Sequence, residues 1–393
     1  MALAPLPFRP EPNGVQDGAS FGDDDLVLGD GDLAEKLNAL YREMRADPLL
    51  AGITRVAAAV YDPKNDTVKT FLHASDGPNA VGRYTARLYD LPGLSSVART
   101  GRPLIVGDLR ANATAGGEQT RRLADLGMRS RYVTAIRRQG VLYGFLFFNS
   151  TQPGCFTPDV LARLVPYRRV ITLMVAGELA LMRAMLGAVH TARTMSRHRD
   201  EETGGHLERM AHFAQLIARR LAVPHGLSDA FLEYLFQYAP LHDIGKVAVP
   251  DHILLKPGRL TPEEFAVMQT HVLKGLEIVD GMRRDHGLQG LPYGQLLANI
   301  IAHHHETVDG SGYPQGLSGD AVSIEGRITT VADVFDALTS VRPYKAAWSN
   351  ADALAFLREK AGSKFDPDCV EALAAQMEAV EEIQRRFRDE SLD

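Results

Sequence analysis

Residues 302–314 read Ala-His-His-His-Glu-Thr-Val-Asp-Gly-Ser-Gly-Tyr-Pro. Three consecutive imidazoles, a carboxylate and a glycine-rich turn make a poor core segment, because histidine is a common metal ligand and seldom clusters without one. An adjacent pair, His242-Asp243, precedes this stretch, and Asp333 follows it in another apolar segment. Imidazole and carboxylate together suit divalent transition metals. The sequence therefore predicts a metal site assembled from separate segments.

These segments resemble the HD-GYP family, the phosphodiesterases of the HD superfamily that hydrolyse cyclic di-GMP. The two name-giving motifs stand here as His242-Asp243 and Gly312-Tyr313-Pro314. The resemblance runs from about residue 202 to about residue 367, roughly half of the chain. Several motifs agree in order, so the resemblance implies a helical, metal-dependent phosphodiesterase in this part of the chain.

The resemblance also implies a set of eight metal ligands. They are Glu202, His206, His242, Asp243, His271, His304, His305 and Asp333. Glu202 and His206 are four residues apart and share one face of a helix. A set of imidazoles and carboxylates without cysteine favours iron or manganese over structural zinc, and the resemblance suggests iron more often. Glu202 adds a carboxylate that would convert a dinuclear centre into a trinuclear one, although a solvated glutamate at a helix start is the alternative.

Phosphodiester hydrolysis at neutral pH needs a strong nucleophile and neutralisation of the phosphate charge. A metal cluster supplies both, so no side-chain general base is required. Beside His242 and Asp243, Lys246 is assigned to the catalytic group, because it lies four residues after His242 and so on the same helical face if the segment is an α-helix.

The remaining site residues are also implied by the resemblance. Lys246, Tyr313, Arg342 and Lys345 are expected to bind the substrate, and arginine suits a bidentate phosphate clamp. Asp309 and Asp336 are expected to orient the metal ligands by accepting hydrogen bonds. His303 is interpreted as a neighbour of the ligand pair that faces elsewhere, although a slip of one position would exchange it for His305.

Composition limits the other function classes. The chain has 393 residues, which indicates two or three domains, and a formal net charge of −6 argues against a general nucleic-acid binder. Two cysteines, Cys155 and Cys369, are far apart, which fits a reducing cytoplasm. No secretory signal is seen at the start, and the longest apolar run, residues 171–182, is interrupted by Glu178, so no membrane span is expected.

The first half of the chain carries strand signals. They lie at residues 53–61, 67–72, 103–106, 132–137 and 141–148, after a helix that begins near Asp30 or Asp32. The pattern resembles a GAF domain, a mixed α/β sensory module with an antiparallel sheet. A small-molecule pocket and a packed dimerisation domain without ligand are equally compatible with it, and no residue names a ligand.

A long helix is predicted to join the two halves. It begins at Thr157-Pro158, with a kink or restart at Pro166. Beyond that proline, apolar residues recur in steps of four and three, as in a coiled-coil seam. They are Val175, Leu179, Met182, Leu186 and Val189. A homodimer through this helix is one interpretation, and one amphipathic helix packed on its own chain is the other.

The second half is predicted to be all-helical. A capping box at Thr261-Pro262-Glu263-Glu264 starts a helix whose apolar face extends to Val279 and which carries His271 midway. Asp366-Pro367 is expected to start the last helix. The expected organisation is a flexible tail over residues 1–30, a GAF-like domain over 31–157, a linker helix over 158–198 and an HD-GYP domain over 199–393.

The sequence thus predicts a cytoplasmic signalling enzyme that cleaves cyclic di-GMP to linear pGpG or further to GMP, under control of the first domain. One alternative is a phosphohydrolase for another cyclic dinucleotide or nucleotide, since fold alone does not choose the substrate. The other is a non-enzymatic receptor or scaffold, which a missing metal ligand would favour.

Overall fold

The computed structural model describes residues 32–76, 84–111, 117–195, 204–285, 293–341 and 347–388. The predicted tail, Glu202, Arg342 and Lys345 lie outside these ranges. The fold class is as predicted: an antiparallel sheet with helices, one long helix, and a helical second half.

The sheet region, residues 32–157, begins with helix α1 (Leu33–Ala46), whose N-cap is Asp32. Six strands follow, with short helices α2 (Pro92–Thr100) and α3 (Gly117–Asp125) between them. The strands are β1 (Ile53–Asp62), β2 (Thr67–Ser75), β3 (Thr85–Arg87), β4 (Leu104–Val106), β5 (Ser130–Arg138) and β6 (Val141–Ser150). The sheet order is β3-β2-β1-β6-β5-β4 with antiparallel neighbours throughout, so β6 is central, as its two apolar faces predicted.

Helix α4 (Pro158–Met195) is one helix that runs through Pro166, so the prediction of a restart there is wrong. Val175, Leu179 and Met182 of the proposed seam are buried in the core of their own chain. The proposed seam is thus the face of α4 that packs on α1 and the sheet. This packing agrees with the other interpretation, one amphipathic helix packed on its own chain.

One stretch of α4, Pro158–Gly187, is long and apolar enough to cross a membrane, contrary to the sequence-based expectation. A third of its most apolar window is buried inside the protein. Packing against the sheet region therefore covers only part of this apolar stretch.

The helical region, residues 204–388, contains ten helices in its described part. They are α5 (Gly204–Leu221), α6 (Asp229–Tyr238), α7 (Asp251–Leu254), α8 (Pro262–Gln269), α9 (His271–Asp285), α10 (Gly294–His303), α11 (Ile324–Thr339), α12 (Asn350–Glu359), α13 (Pro367–Ala374) and α14 (Met377–Arg386). The capping box at Thr261 and Glu264 is present, but its helix ends at Gln269, so His271 opens the next helix instead of lying mid-helix. Asp366-Pro367 starts α13, and α14 follows it, so the prediction that this pair starts the last helix is wrong.

The sheet region and the helical region share one hydrophobic core. Tyr234 of α6 packs its ring 6.0 Å from Phe71 of β2 and 4.5 Å from Tyr293, and its hydroxyl donates to Glu178 of α4. Burial raises the pKa of Glu178 to about 7. Helix α6 is therefore held from one side by the sheet and from another by α4.

Candidate metal centre

Seven of the eight predicted ligands come together in the helical region, and the eighth, Glu202, lies outside the described residues. They form two groups, in each of which the ligand atoms lie within 4.8 Å of one another. One group is Asp243, His271, His304 and His305, and the other is His206, His242 and Asp333. We call these seven residues the His/Asp cluster.

Asp243 connects the two groups. Its Oδ1 lies 3.0 Å from His271 Nε2 and 3.5 Å from His304 Nε2. Its Oδ2 lies 3.1 Å from His242 Nε2, in the other group. One carboxylate thus faces both groups, which is the geometry required of a ligand that bridges two metal ions.

The His242-Asp243 pair lies between two 3-10 segments, Ala239–Leu241 and Ile244–Ala248. Because a 3-10 turn brings residues three apart together, Lys246 Nζ contacts Asp243 Oδ2 at 2.7 Å. The expectation that Lys246 shares an α-helical face with His242 is therefore wrong, and its partner is the bridging carboxylate. Burial acts to raise the pKa of Asp243, but Lys246 and His242 hold it well below its usual value.

Gly245 explains how this turn approaches the rest of the cluster. A Cβ at Gly245 would lie 1.8 Å from the carbonyl oxygen of His271 and 2.5 Å from the amide nitrogen of Gly275. Only glycine allows the turn to pack this closely on α9, so the turn and the first residue of α9 meet at the cluster.

Three imidazoles are held in place by backbone carbonyls. The contacts are His242 Nδ1 to Ala239 O at 2.9 Å, His271 Nδ1 to Met268 O at 2.7 Å and His304 Nδ1 to Ile301 O at 2.9 Å. A carbonyl oxygen only accepts, so Nδ1 donates in each case and the neutral ring carries its lone pair on Nε2. These Nε2 atoms point at the cluster, as metal-binding histidines do.

His206 is oriented by a carboxylate, as predicted for Asp336. Its Nδ1 lies 2.8 Å from Asp336 Oδ2, and Arg209 clamps the same carboxylate at 2.7 and 3.0 Å. Although burial acts to raise the pKa of Asp336, hydrogen bonds from His206 and Arg209 lower it. Arg209 was missed in the sequence. The signal available was a charged residue within the apolar stripe of α5, beside Met210 and Phe213.

The geometry of the described donors fits a bound cation. His271 Nε2 and His304 Nε2 lie 3.4 Å apart, and both carry lone pairs if their Nδ1 atoms donate. Two facing acceptors repel unless a cation lies near both. Burial lowers the pKa of His304 and of His305, which favours the neutral form that a metal requires. The described donors are nitrogen and carboxylate oxygen, which suits iron or manganese.

The turn after the histidines packs directly on the cluster. The ring of Tyr313 stacks on His305 at 4.6 Å between centroids, and Glu306 accepts hydrogen bonds from the amides of Gln315 and Leu317 at 2.7 and 3.0 Å. A Cβ at Gly312 would lie 2.5 Å from Glu306 Cα, so the close approach requires glycine. Glu306 thus anchors the turn that presents Tyr313.

The roles predicted for Asp309 and His303 from the sequence have different outcomes. Asp309 accepts hydrogen bonds from Thr307 and Ser311 and pairs with Lys364 at 3.4 Å. It therefore stabilises the turn, and the prediction that it orients a metal ligand is not supported by these contacts. His303 contacts Ser323 Oγ at 3.0 Å, away from the cluster, as interpreted from the sequence. Arg342 and Lys345 lie outside the described residues.

Comparison with known proteins places this centre in context. The HD domain family model matches residues 192–369. The cyclic di-GMP phosphodiesterase response regulator RpfG of Xanthomonas campestris is 46% identical over 190 residues, covering 48% of this chain and 47% of that protein. A cyclic di-GMP phosphodiesterase of Thermotoga maritima is 40% identical, covering 50% of each chain. The chain spans about half the length of these relatives.

Two further matches are a relative named for a different substrate and a solved structure. The 3'3'-cGAMP-specific phosphodiesterase 2 of Vibrio cholerae is 44% identical, covering 44% of this chain and 31% of that protein. A solved GAF domain/HD domain protein from Geobacter sulfurreducens is 14% identical with a TM-score of 0.31, covering 37% of this chain and 93% of that one. The residues matched by the family model, 192–369, include all seven residues of the His/Asp cluster. Residues 192–369 of this chain are thus similar to the HD domain family.

Proposed function

We propose that the helical region hydrolyses cyclic di-GMP in a metal-dependent reaction. The observation that carries this proposal is the His/Asp cluster, whose members come from three helices and two connecting turns yet meet in two groups joined by Asp243. The relatives named as cyclic di-GMP phosphodiesterases support the substrate. The products proposed are linear pGpG and then GMP.

The chain's own residues have separate tasks in this proposal. Bound metal ions would supply a nucleophile at neutral pH and neutralise phosphate charge. Lys246 lies against Asp243 with about a fifth of its side chain exposed, so its ammonium can also meet a phosphate oxygen. Tyr313 presents a ring that can contact a guanine base. Arg342 and Lys345 are proposed as further substrate ligands on sequence grounds.

The test compares two substrates under two metals. Reduced protein loaded with iron or manganese is incubated with cyclic di-GMP or with 3'3'-cGAMP, and the products are separated by chromatography. We expect faster turnover of cyclic di-GMP. Preference for 3'3'-cGAMP would support the second candidate, which the 44% identical Vibrio cholerae protein motivates. Binding without turnover of either would support a receptor.

The metal count is proposed to be three, with Glu202 as the additional ligand and iron as the metal in the cell. Elemental analysis of anaerobically purified protein should show three metals per chain, and two in Glu202→Ala. Two metals in both proteins would assign Glu202 to a solvated helix start instead.

We also propose that residues 31–157 form a GAF-like sensory domain that regulates residues 199–393 in the cytoplasm, with residues 158–198 as the linker. The packing of α6 on β2 and the hydrogen bond from Tyr234 of α6 to Glu178 of α4 support regulation, because α6 leads to the His242-Asp243 turn. Dimerisation remains a proposal, but it would have to use a surface other than the seam at Val175, Leu179 and Met182, which is buried in its own chain.

A further inference from the structure

The sheet region buries two arginines on one face of its central strands. Arg55 of β1 pairs with Asn149 of β6, and Arg131 of β5 pairs with the same Asn149, so the three side chains form a row across three strands. They are only 7%, 1% and 5% exposed for Arg55, Asn149 and Arg131. We call these three residues the arginine row.

Four buried side-chain atoms of the arginine row have no hydrogen-bond partner in the part of the chain that the structure describes. These atoms are Arg55 Nε, Arg131 Nε, and both Asn149 amide atoms. The Arg131 guanidinium lies over the ring of Phe147, 4.9 Å from its centroid. Buried cations without an anion are costly, and burial lowers the pKa of both Arg55 and Arg131 to about 10.

The arginine row opens into a small cavity of about 30 Å³. Its walls are mainly apolar, with Ala57, Leu94 and Phe147 among them. Three titratable groups also face it, His73 of β2, Tyr84 and Asp229. A space of this size holds about two water molecules or one small ion. Burial lowers the pKa of His73, with a further contribution from Arg55, so the ring is neutral and adds no positive charge.

We propose that this cavity binds a small oxyanion, such as a short carboxylate or a phosphate, between Arg55 and Arg131. Guanidinium groups donate in a planar fork that matches an oxyanion, and the Asn149 amide can donate between them. The apolar walls raise the strength of these charge-assisted hydrogen bonds, because the local dielectric is low. The bound anion would offset the positive charge of the two buried cations.

Asp229 links this site to the helical region. It is the first residue of α6 and its charge acts on Arg55, so its carboxylate competes with an incoming anion for that guanidinium. The far end of α6 leads through residues 239–241 to His242. An anion in the cavity therefore alters the charge balance at one end of the helix that precedes the metal centre. This link to catalysis rests on the proposed function, but binding itself does not.

Binding is measured directly on the full chain by calorimetry and thermal shift. The probes are sodium acetate and sodium phosphate, each compared with sodium chloride at matched ionic strength. We expect saturable binding of at least one probe, at least tenfold weaker in Arg131→Met. In Asp229→Asn we expect several-fold tighter binding, because the competing carboxylate is gone. A purely structural role for these residues would not give opposite signs.

The matched control is Arg137→Met, the same change on the same strand and face but at an exposed position. It should bind the probes as the unaltered chain does. Asn149→Ala provides a second weakened variant if Arg131→Met does not fold, as judged by circular dichroism. Absence of saturable binding in the unaltered chain, or equal binding in Arg131→Met or Asn149→Ala, overturns the proposal. Since no turnover is measured, this outcome is independent of the phosphodiesterase test.

Discussion

The helical region and the sheet region both bury charged side chains, but they balance that charge differently. In the His/Asp cluster, Asp243 faces Lys246 and three imidazoles. Beside the cluster, Asp336 is clamped by Arg209. In the arginine row, two cations flank a neutral amide with no anion bonded to them in the described part of the chain. The His/Asp cluster offers lone pairs that can bind cations. The arginine row offers N–H groups that can bind an anion. The sign of the uncompensated charge thus indicates which ligand each region can accept.

The largest effect is expected from Asp243→Ala, which tests whether the chemistry resides in the helical region alone. Loss of the carboxylate that faces both groups should lower metal content and reduce turnover at least about 100-fold. This loss exceeds the effect usually seen when a residue that only hydrogen-bonds to a metal ligand is replaced. Circular dichroism should show retained helices, because their apolar faces are intact. His303→Gln, beside the cluster but bonded to Ser323, is the control and should keep its metal. Turnover within a few-fold of normal in Asp243→Ala would refute the assignment.

A second test concerns α4, which joins the two regions. Leu179 is fully buried and Leu173 is 70% exposed on the same helix. Leu179→Ala should reduce the free energy of unfolding by about 2–5 kcal/mol, whereas Leu173→Ala should change it by less than about 0.5 kcal/mol. Urea unfolding measures both. Light scattering should give the same mass for both variants as for the unaltered chain, and a halved mass in Leu179→Ala would restore the coiled-coil interpretation.

His212 tests whether the two regions unfold together, because it lies where they meet. Its ring packs 4.9 Å from Phe236 and from Phe387, and burial, followed by the charge of Lys69 on β2, lowers its pKa to about 4. The unfolded chain takes up a proton near pH 6.5, so the stability from neutral His212 is complete above that pH. It is lost as the pH falls toward about 4.

Urea unfolding at pH 7 and pH 5 measures this loss. It should amount to about 2 kcal/mol at pH 5 for His212 alone. His212→Leu should lose correspondingly less stability between the two pH values, while the exposed His225→Leu should behave as the unaltered chain does. Equal pH dependence in His212→Leu and the unaltered chain would contradict a neutral His212 in the folded state.

The smallest effect is expected from Asp336→Asn, which sharpens the contrast between two carboxylates near the cluster. Asn cannot hold His206 and Arg209 as an ionised carboxylate does, so metal affinity should fall about 10–100-fold. Asp309→Asn changes a carboxylate whose described partners all lie in the turn or on Lys364. Titration with manganese should therefore show normal affinity in Asp309→Asn. Equal losses in both variants would place Asp309 back among the ligand-orienting residues.

The sequence by itself determined the features that depend on near neighbours. Helix α1 with its Asp32 cap, the capping box at Thr261, and the hairpin between β5 and β6 were predictable because local propensity decides them. The candidate ligands were also identified, because clustered histidines and a His-Asp pair are unusual in an apolar core. Residue type and order sufficed to name them, although neither indicated how they divide into two groups.

The tertiary structure decided the features that depend on contacts between distant segments. The spacing of apolar residues predicted one helix where the structure has two, α8 and α9. Helix α8 ends before Thr270, and Gly245 packs on His271 at the start of α9. The four-three pattern of α4 indicated an apolar face without saying which surface covers it, and the sheet region of the same chain does so. Arg209 and the arginine row were missed because their partners lie on other helices or strands. Whether a charge is buried, and beside what, is set by packing between residues far apart in sequence.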